Sequence, residues 1–339
     1  MNILCEGFAG LNSTGDLLLA GYIDNGGIAV NPTITTGRFS TSKGMRYTVA
    51  GGFYQVMRPL VYSGNSLYIG MALNVNSLTS FGTSTYYFFL RDGSNNIVAG
   101  IGTDIAGRMF IQSAANYAIT DESIIRPNQP QYWEFGYTAA GTVIARLNNT
   151  QQLAINAATG RAASLCFGGT QGLGGGNVQA ICSDLYVNDA SGTYANTFAG
   201  EQQMIIRPPT ADSTPLEWTP SVAGAHYLMV DDNNQNNDTD YIEAASTGLI
   251  DMFTSNFPIG TPQSILALST RVIARKTDTA LREIASRIDS AGSIDLGVSR
   301  TLGSAYNVYD DPRSVDPATG VPWLVAAASN VKFGVLASV

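Results

Sequence analysis

The sequence predicts an all-β protein, and three observations carry that prediction. Gly, Asn and Asp break the chain at short, regular intervals, the turn rhythm of a sandwich or barrel. The intervals are filled with β-branched and aromatic residues, which suit a pleated, half-buried surface. Few stretches read as helix, and the best candidate is Ser264 to Ser290.

Several strands are readable in order. SLYIGMALNV, Ser66 to Val75, alternates as a half-buried strand does. In YYFFLRDGSNNIVAGIG, Tyr86 to Leu90 meets Asp92-Gly93 and Ile97 to Ile101 returns, with Asp-Gly expected to supply the positive φ of the turn. QYWEFGY, Gln131 to Tyr137, is a strand with Tyr132 and Trp133 on its two faces. In VIARLNNTQQLAI, Val143 to Leu147 turns at Asn148-Asn149 and comes back through Leu153 to Ile155. Leu185, Tyr186 and Val187 form a strand that breaks on Asn188, Asp189 and Gly192, and Phe198 is expected to anchor the return. Alternation sets Leu185 and Val187 against one layer and Tyr186 against the other.

A boundary is expected near residue 201, because Pro208-Pro209, Pro215 and Pro220 interrupt any ladder that follows. The expected division is therefore 1–200 and 201–339. Beyond the boundary, Ile265 to Arg275 reads as strand. Thr279 to Ile288 accepts helix or strand, and strand is assigned because its surroundings are β. KTDT, Lys276 to Thr279, would then turn one strand into the next.

Composition limits the function classes. Charged residues make up 13% of the chain, against about 25% in an average globular protein, which suits a surface that meets copies of itself. A net charge of −8 offers no positive field to nucleic acid. Three cysteines, Cys5, Cys166 and Cys182, lack metal-ligand spacing and are read as reduced thiols. Residues 1–20 lack a basic start followed by a long apolar stretch, and no apolar run approaches the ~20 residues of a membrane span. A soluble chain made in a reducing cytoplasm is expected, with no membrane insertion.

Candidate chemistry is sparse. A single histidine, His226, excludes triads and sites needing several imidazoles, and is read as structural. The E-x-D-x-x-E strand pattern of sandwich-fold glucanases is absent, with Glu134 alone in its strand. DDNNQNNDTD offers Asp231, Asp232, Asp238 and Asp240 but lacks the order of a calcium loop, so it is read as a solvated loop. FGGTQGLGGGN, Phe167 to Asn177, has no Lys-Ser/Thr and is read as a flexible loop rather than a phosphate cradle. Glycosylation sequons at Asn12, Asn148 and Asn237 carry no meaning outside a secretory pathway. No cofactor and no metal is expected. The basic group Arg271, Arg275, Lys276, Arg282 and Arg287 is set against the acidic Asp231 to Asp251 region of a neighbouring copy, or else balances charge on a solvated face.

The order of segments along the chain is similar to a known family. SDLYVNDASG is followed by NTFAGEQQMIIRPPTADST and then EWTPSVAGAHYLMVDDNNQNNDTDYI. With CEGFAG near the start, and PATGVPW and FGV near the end, this resembles a family of tailed-bacteriophage virion proteins. The motif residues are Asp184, Tyr186, Phe198, Gly200 and Trp218; Ser183 departs from the acidic pair common there. The resemblance implies a concanavalin A-like jelly roll with a second, smaller β region. It also implies a non-enzymatic structural role in the virion. The tail or an appendage is the expected location, with self-assembly and host-glycan contact. Other virion proteins and copies of the chain itself would be the partners. A capsid decoration protein and a soluble carbohydrate-binding lectin are the alternatives.

Overall fold

The structure is a computed structural model that describes residues 1–8, 10–24, 32–39, 42–49, 56–78, 84–114, 116–168, 170–171, 178–232, 236, 238–256 and 264–339. The chain divides into two compact units, Ile3–Met204 and Ile205–Val339. The glycine-rich run 172–177 and the sequon at Asn237 lie outside the described residues.

The first unit is a jelly-roll sandwich of two eight-stranded antiparallel sheets. One sheet runs Thr150–Asn156, Thr142–Leu147, Gln131–Thr138, Ser66–Val75, Val178–Asp189, Lys43–Val49, Thr33–Thr36, with Asn2–Glu6 also paired to Val178–Asp189. The other runs Tyr117–Ile119, Met109–Ser113, Ile97–Thr103, Ser84–Asp92, Ala162–Phe167, Val56–Pro59, Ile23–Asp24, with Thr170–Gln171 also on Ser84–Asp92. Period-2 alternation sends Trp133, Phe135 and Tyr137 into the space between the sheets. A register slip between Tyr86 and Phe88 turns two consecutive rings inward to meet them. Tyr87 lies edge-on to Trp133 at 5.7 Å, and Phe88 edge-on to Phe135 at 5.8 Å. Such rings each bury about 150–250 Å² and dominate the core.

Two local expectations are corrected. The hairpin after Leu90 does not take its positive φ from Gly93; Asn95 carries it, at φ 69°. The reason is Asp92, whose carboxylate accepts the Ser94 and Asn96 amides at 2.9 and 2.8 Å and widens the turn around itself. Ser66–Val75 is not half-buried: most of it is buried on both faces, because the outer face of its sheet is covered as well. The Asn148-Asn149 turn has both residues at positive φ, 48° and 68°, as a two-residue hairpin requires.

The second unit holds a six-stranded sheet in the order Ala211–Leu216, Ile250–Thr254, Lys332–Ala337, Glu283–Ser290, Ser293–Leu296, with Arg300–Thr301 also on Glu283–Ser290. Pro215 lies on its edge strand, where a missing N–H costs no ladder bond. Ile288, Trp323, Ala328 and Val331 form the core cluster, with Leu268 and Phe333 packed against it. The ambiguous 264–290 stretch is strand in both halves, Leu268–Ala274 and Glu283–Ser290, but the two do not pair as a hairpin. Glu283–Ser290 already has Lys332–Ala337 on one side and Ser293–Leu296 and Arg300–Thr301 on the other. Leu268–Ala274 pairs instead with Asn307–Arg313.

Candidate functional site

The outer face of the first sheet carries a connected group of buried polar side chains. Trp133 and Phe135 point inward, so Tyr132, Glu134 and Gly136 point outward, and yet all three are buried. The segment after Asp189 covers them. Phe198 lies over Gly136, where an added Cβ would come 2.6 Å from its ring. The same ring is edge-on to Tyr68 at 5.0 Å and 4.9 Å beneath the Arg146 guanidinium. The fully buried Glu134 takes Tyr186 Oη at 2.5 Å and Gly200 N at 2.8 Å on Oε1, and its Oε2 is paired in charge with Arg146 Nη1 at 2.9 Å. Tyr186 Oη accepts the Ala199 amide at 2.9 Å in turn. Burial first, then the Glu134 charge, pushes the Tyr186 phenol far above its ordinary value, so it remains a donor.

A bulge completes the clamp. Ser183 faces Ala72 and Tyr186 faces Gly70, so Asp184 and Leu185 share one place, with Asp184 at φ 52°. Asp184 accepts the Met204 amide at 2.9 Å and lies 3.6 Å from Arg38 Nε, and its main-chain oxygen accepts Tyr132 Oη at 3.1 Å. Burial raises its pKa despite these partners. Asn188 holds the Thr197 carbonyl at 2.9 Å. Thus Asp184, Tyr186, Phe198 and Gly200 are brought together, and their geometry fastens a strap rather than presenting a reactive group.

Trp218 belongs to a different centre, in the second unit. Asp251, fully buried, accepts Glu217 N at 2.6 Å and Trp218 N at 2.8 Å on one oxygen and meets His226 Nδ1 at 2.6 Å on the other. Asp212 holds the main chain of His226 and Tyr227 at 3.0 and 2.6 Å. A carboxylate on Nδ1 fixes the ring and leaves Nε2 as its free nitrogen. Sequence reasoning placed His226 but missed Asp251, which follows it by 25 positions and meets it only through the sheet.

Four of the five basic residues are met within the chain. Arg271 forks onto Asp310 at 2.7 and 3.0 Å, Arg275 onto Asp238 at 2.8 and 3.0 Å, and Arg282 onto Asp278 at 3.1 and 2.8 Å. Lys276 donates to the Ala280 carbonyl at 2.5 Å. Arg287 stands on the central strand opposite Gly334 and Leu296, away from that group. Asp232 and Asp240 both accept the Asn236 side-chain amide, and burial together with Asp232 raises Asp231. The structure therefore joins Asp238 to Arg275 inside one copy. No group of three metal-ligating side chains occurs among the described residues.

One part of the outer face remains open. Beyond the strap lies a cleft of about 210 Å³ lined by Arg46, Asn74, Asn76, Asn128, Gln179 and Ile181. None of these was singled out from the sequence. The available signal was the polar pair Asn74 and Asn76, one at the end of the strand and one just past it, which singles out no partner segment.

No family model matches the chain, and no curated protein matches it. Solved structures resemble about half of it. An alginate lyase from Corynebacterium sp. is 12% identical over 54% of this chain and 99% of its own, with a TM-score of 0.39. Alginate lyase AlgAT5, of polysaccharide lyase family 7, is 9% identical over 52% and 98%, with a TM-score of 0.39. A sialidase is 8% identical over 47% of this chain but 17% of its own, with a TM-score of 0.35. The likeness is one of fold. These names correct the expectation of a non-enzymatic chain: proteins of this architecture include lyases and sialidases. A missing E-x-D-x-x-E pattern excludes only one arrangement of carboxylates.

Proposed function

We propose that the chain is a structural component of a tailed-bacteriophage virion, seated in the tail or an appendage, acting through self-assembly and contact with a host glycan. The ordered segments from Ser183 to Ile242 support the virion location, and the low charge content supports dense association. One observation carries self-assembly. In the edge strand Ser293–Leu296 the usual alternation is reversed. Asp295 turns to the buried Arg313 at 3.0 Å, while Ile294 and Leu296 are 52% and 51% exposed, and Val298 just beyond is 62% exposed. An uncovered edge offers its N–H and C=O groups to another strand, and the apolar row gains by leaving water. A second copy supplies both.

The test is the mass of the full chain in solution by light scattering. An assembly of two or more copies is expected, and Leu296→Asp should shift it to monomer. A wild-type monomer at every concentration would sink self-assembly and favour a decoration protein that waits for coat subunits.

A further inference from the structure

The open cleft on the outer sheet face is built rather than incidental. Ile181 is the register partner of both Arg46 and Asn74, so three neighbouring strands present one row of side chains. Asn76 locks the mouth: its side-chain oxygen accepts Gln179 N at 2.8 Å, and its main-chain N–H donates to the Gln179 carbonyl at 3.0 Å. The Asn128 main-chain N–H donates to the Val75 carbonyl at 2.6 Å. Arg46 is oriented by one Nη2 bond to Thr35 Oγ1 at 3.0 Å, and among the described residues its other N–H donors are left for a ligand. Asn74 Oδ1 is buried with no hydrogen-bond partner among the described residues, a cost that a ligand hydroxyl would remove.

The lining selects a ligand class. Side-chain amides offer donor and acceptor together, which matches adjacent hydroxyls on a sugar ring. Among the described residues no carboxylate lines the cleft, so a cation finds no partner there, and the one charge they bring is a guanidinium whose fork fits a carboxylate. At about 210 Å³ the space falls below the ~300–1,000 Å³ of drug-sized sites and suits one ring of a chain that continues into solvent. We propose that this cleft binds one unit of an acidic glycan, with its carboxylate on Arg46 and its hydroxyls on Asn74, Asn128 and Gln179. This rests on the glycan contact proposed above and adds its place and its charge.

Calorimetry on the full chain tests it, with a short oligouronate and a neutral gluco-oligosaccharide of equal length as probes. The oligouronate should bind about tenfold or more tightly than the neutral chain, the worth of one charge-assisted pair. Arg46→Gln should erase that preference, and Asn74→Asp should weaken the oligouronate by about tenfold through repulsion while sparing the neutral chain. Unchanged thermal midpoints would show that both variants fold. Equal affinity for the two probes, no binding of either at millimolar concentration, or variants that bind as wild type would each overturn the proposal. Light scattering on the same samples separates the two readings: lost sugar binding at unchanged oligomeric mass counts against the cleft alone.

Discussion

Asp184 and Asp189 are five positions apart on one strand, both almost wholly buried, and their pKa values are pushed in opposite directions. For Asp184, burial outweighs its partners and the pKa rises above 3.8. Its charged form therefore costs the fold, and its contribution to stability improves as pH falls through the folded pKa towards 3.8. For Asp189, burial also pushes upwards, but hydrogen bonds from Ser191 and the amino terminus outweigh it, and the pKa lies below 3.8. Its contribution is present above 3.8 and is lost as pH falls through the folded value. At pH 7, Asp189→Asn should cost about 1–3 kcal/mol in urea denaturation, by weakening bonds to a charged acceptor. Asp184→Asn should cost less, since it removes a charge that burial disfavours. The Asp189→Asn penalty should shrink below pH 3.8, and equal penalties for the two variants at pH 7 would sink this assignment.

At the scale of elements, the strap after Asp189 depends on two glycines that let rings approach a strand. Gly70 admits the Tyr186 ring, which an added Cβ would meet at 2.2 Å, and Gly136 admits Phe198 at 2.6 Å. Gly136→Ala should lift Phe198 off the sheet and cost about 1–3 kcal/mol as an overpacked contact. Phe198→Leu in the same background should recover part of that loss, because the clash is with its ring. Strictly additive effects in a double-mutant cycle would show that the strap is not held at this point. What the sequence disclosed here follows the range of the interaction. The Asn148-Asn149 turn and the alternation through Tyr132 and Trp133 are set within a few residues and were legible. Glu134 looked solitary because Arg146, its partner, faces it only through cross-strand register. The turn expected at Lys276 to Thr279, joining Ile265 to Arg275 with Thr279 to Ile288, failed for the same reason: local turn residues cannot reveal that Lys332–Ala337 and Ser293–Leu296 already flank the second strand. The cleft was hidden because Arg46, Asn74 and Gln179 come from three separated segments, each unremarkable alone.

At the scale of the whole molecule, the question is what kind of force a chain with only 18 basic and 26 acidic residues uses to assemble. The sequence offered Arg271 to Arg287 as one half of a charged interface, with the acidic Asp231 to Asp251 region of another copy as the other. In the folded chain Arg271, Arg275 and Arg282 already have carboxylate partners of their own, so trading them for those of a neighbour gains little. The reversed alternation at Ile294 and Leu296 supplies the competing apolar term, which gains from burial without charge matching. The two forces differ in their response to salt. The Debye length falls from about 10 Å at 0.1 M to about 3 Å at 1 M, which weakens an exposed charge interface and leaves apolar burial intact. The oligomeric mass should therefore hold constant or rise across that range, and Arg275→Glu should change it less than Leu296→Asp does. If the assembly instead falls apart as salt rises, the basic group is the interface, and the in-chain pair of Arg275 with Asp238 must open when copies meet.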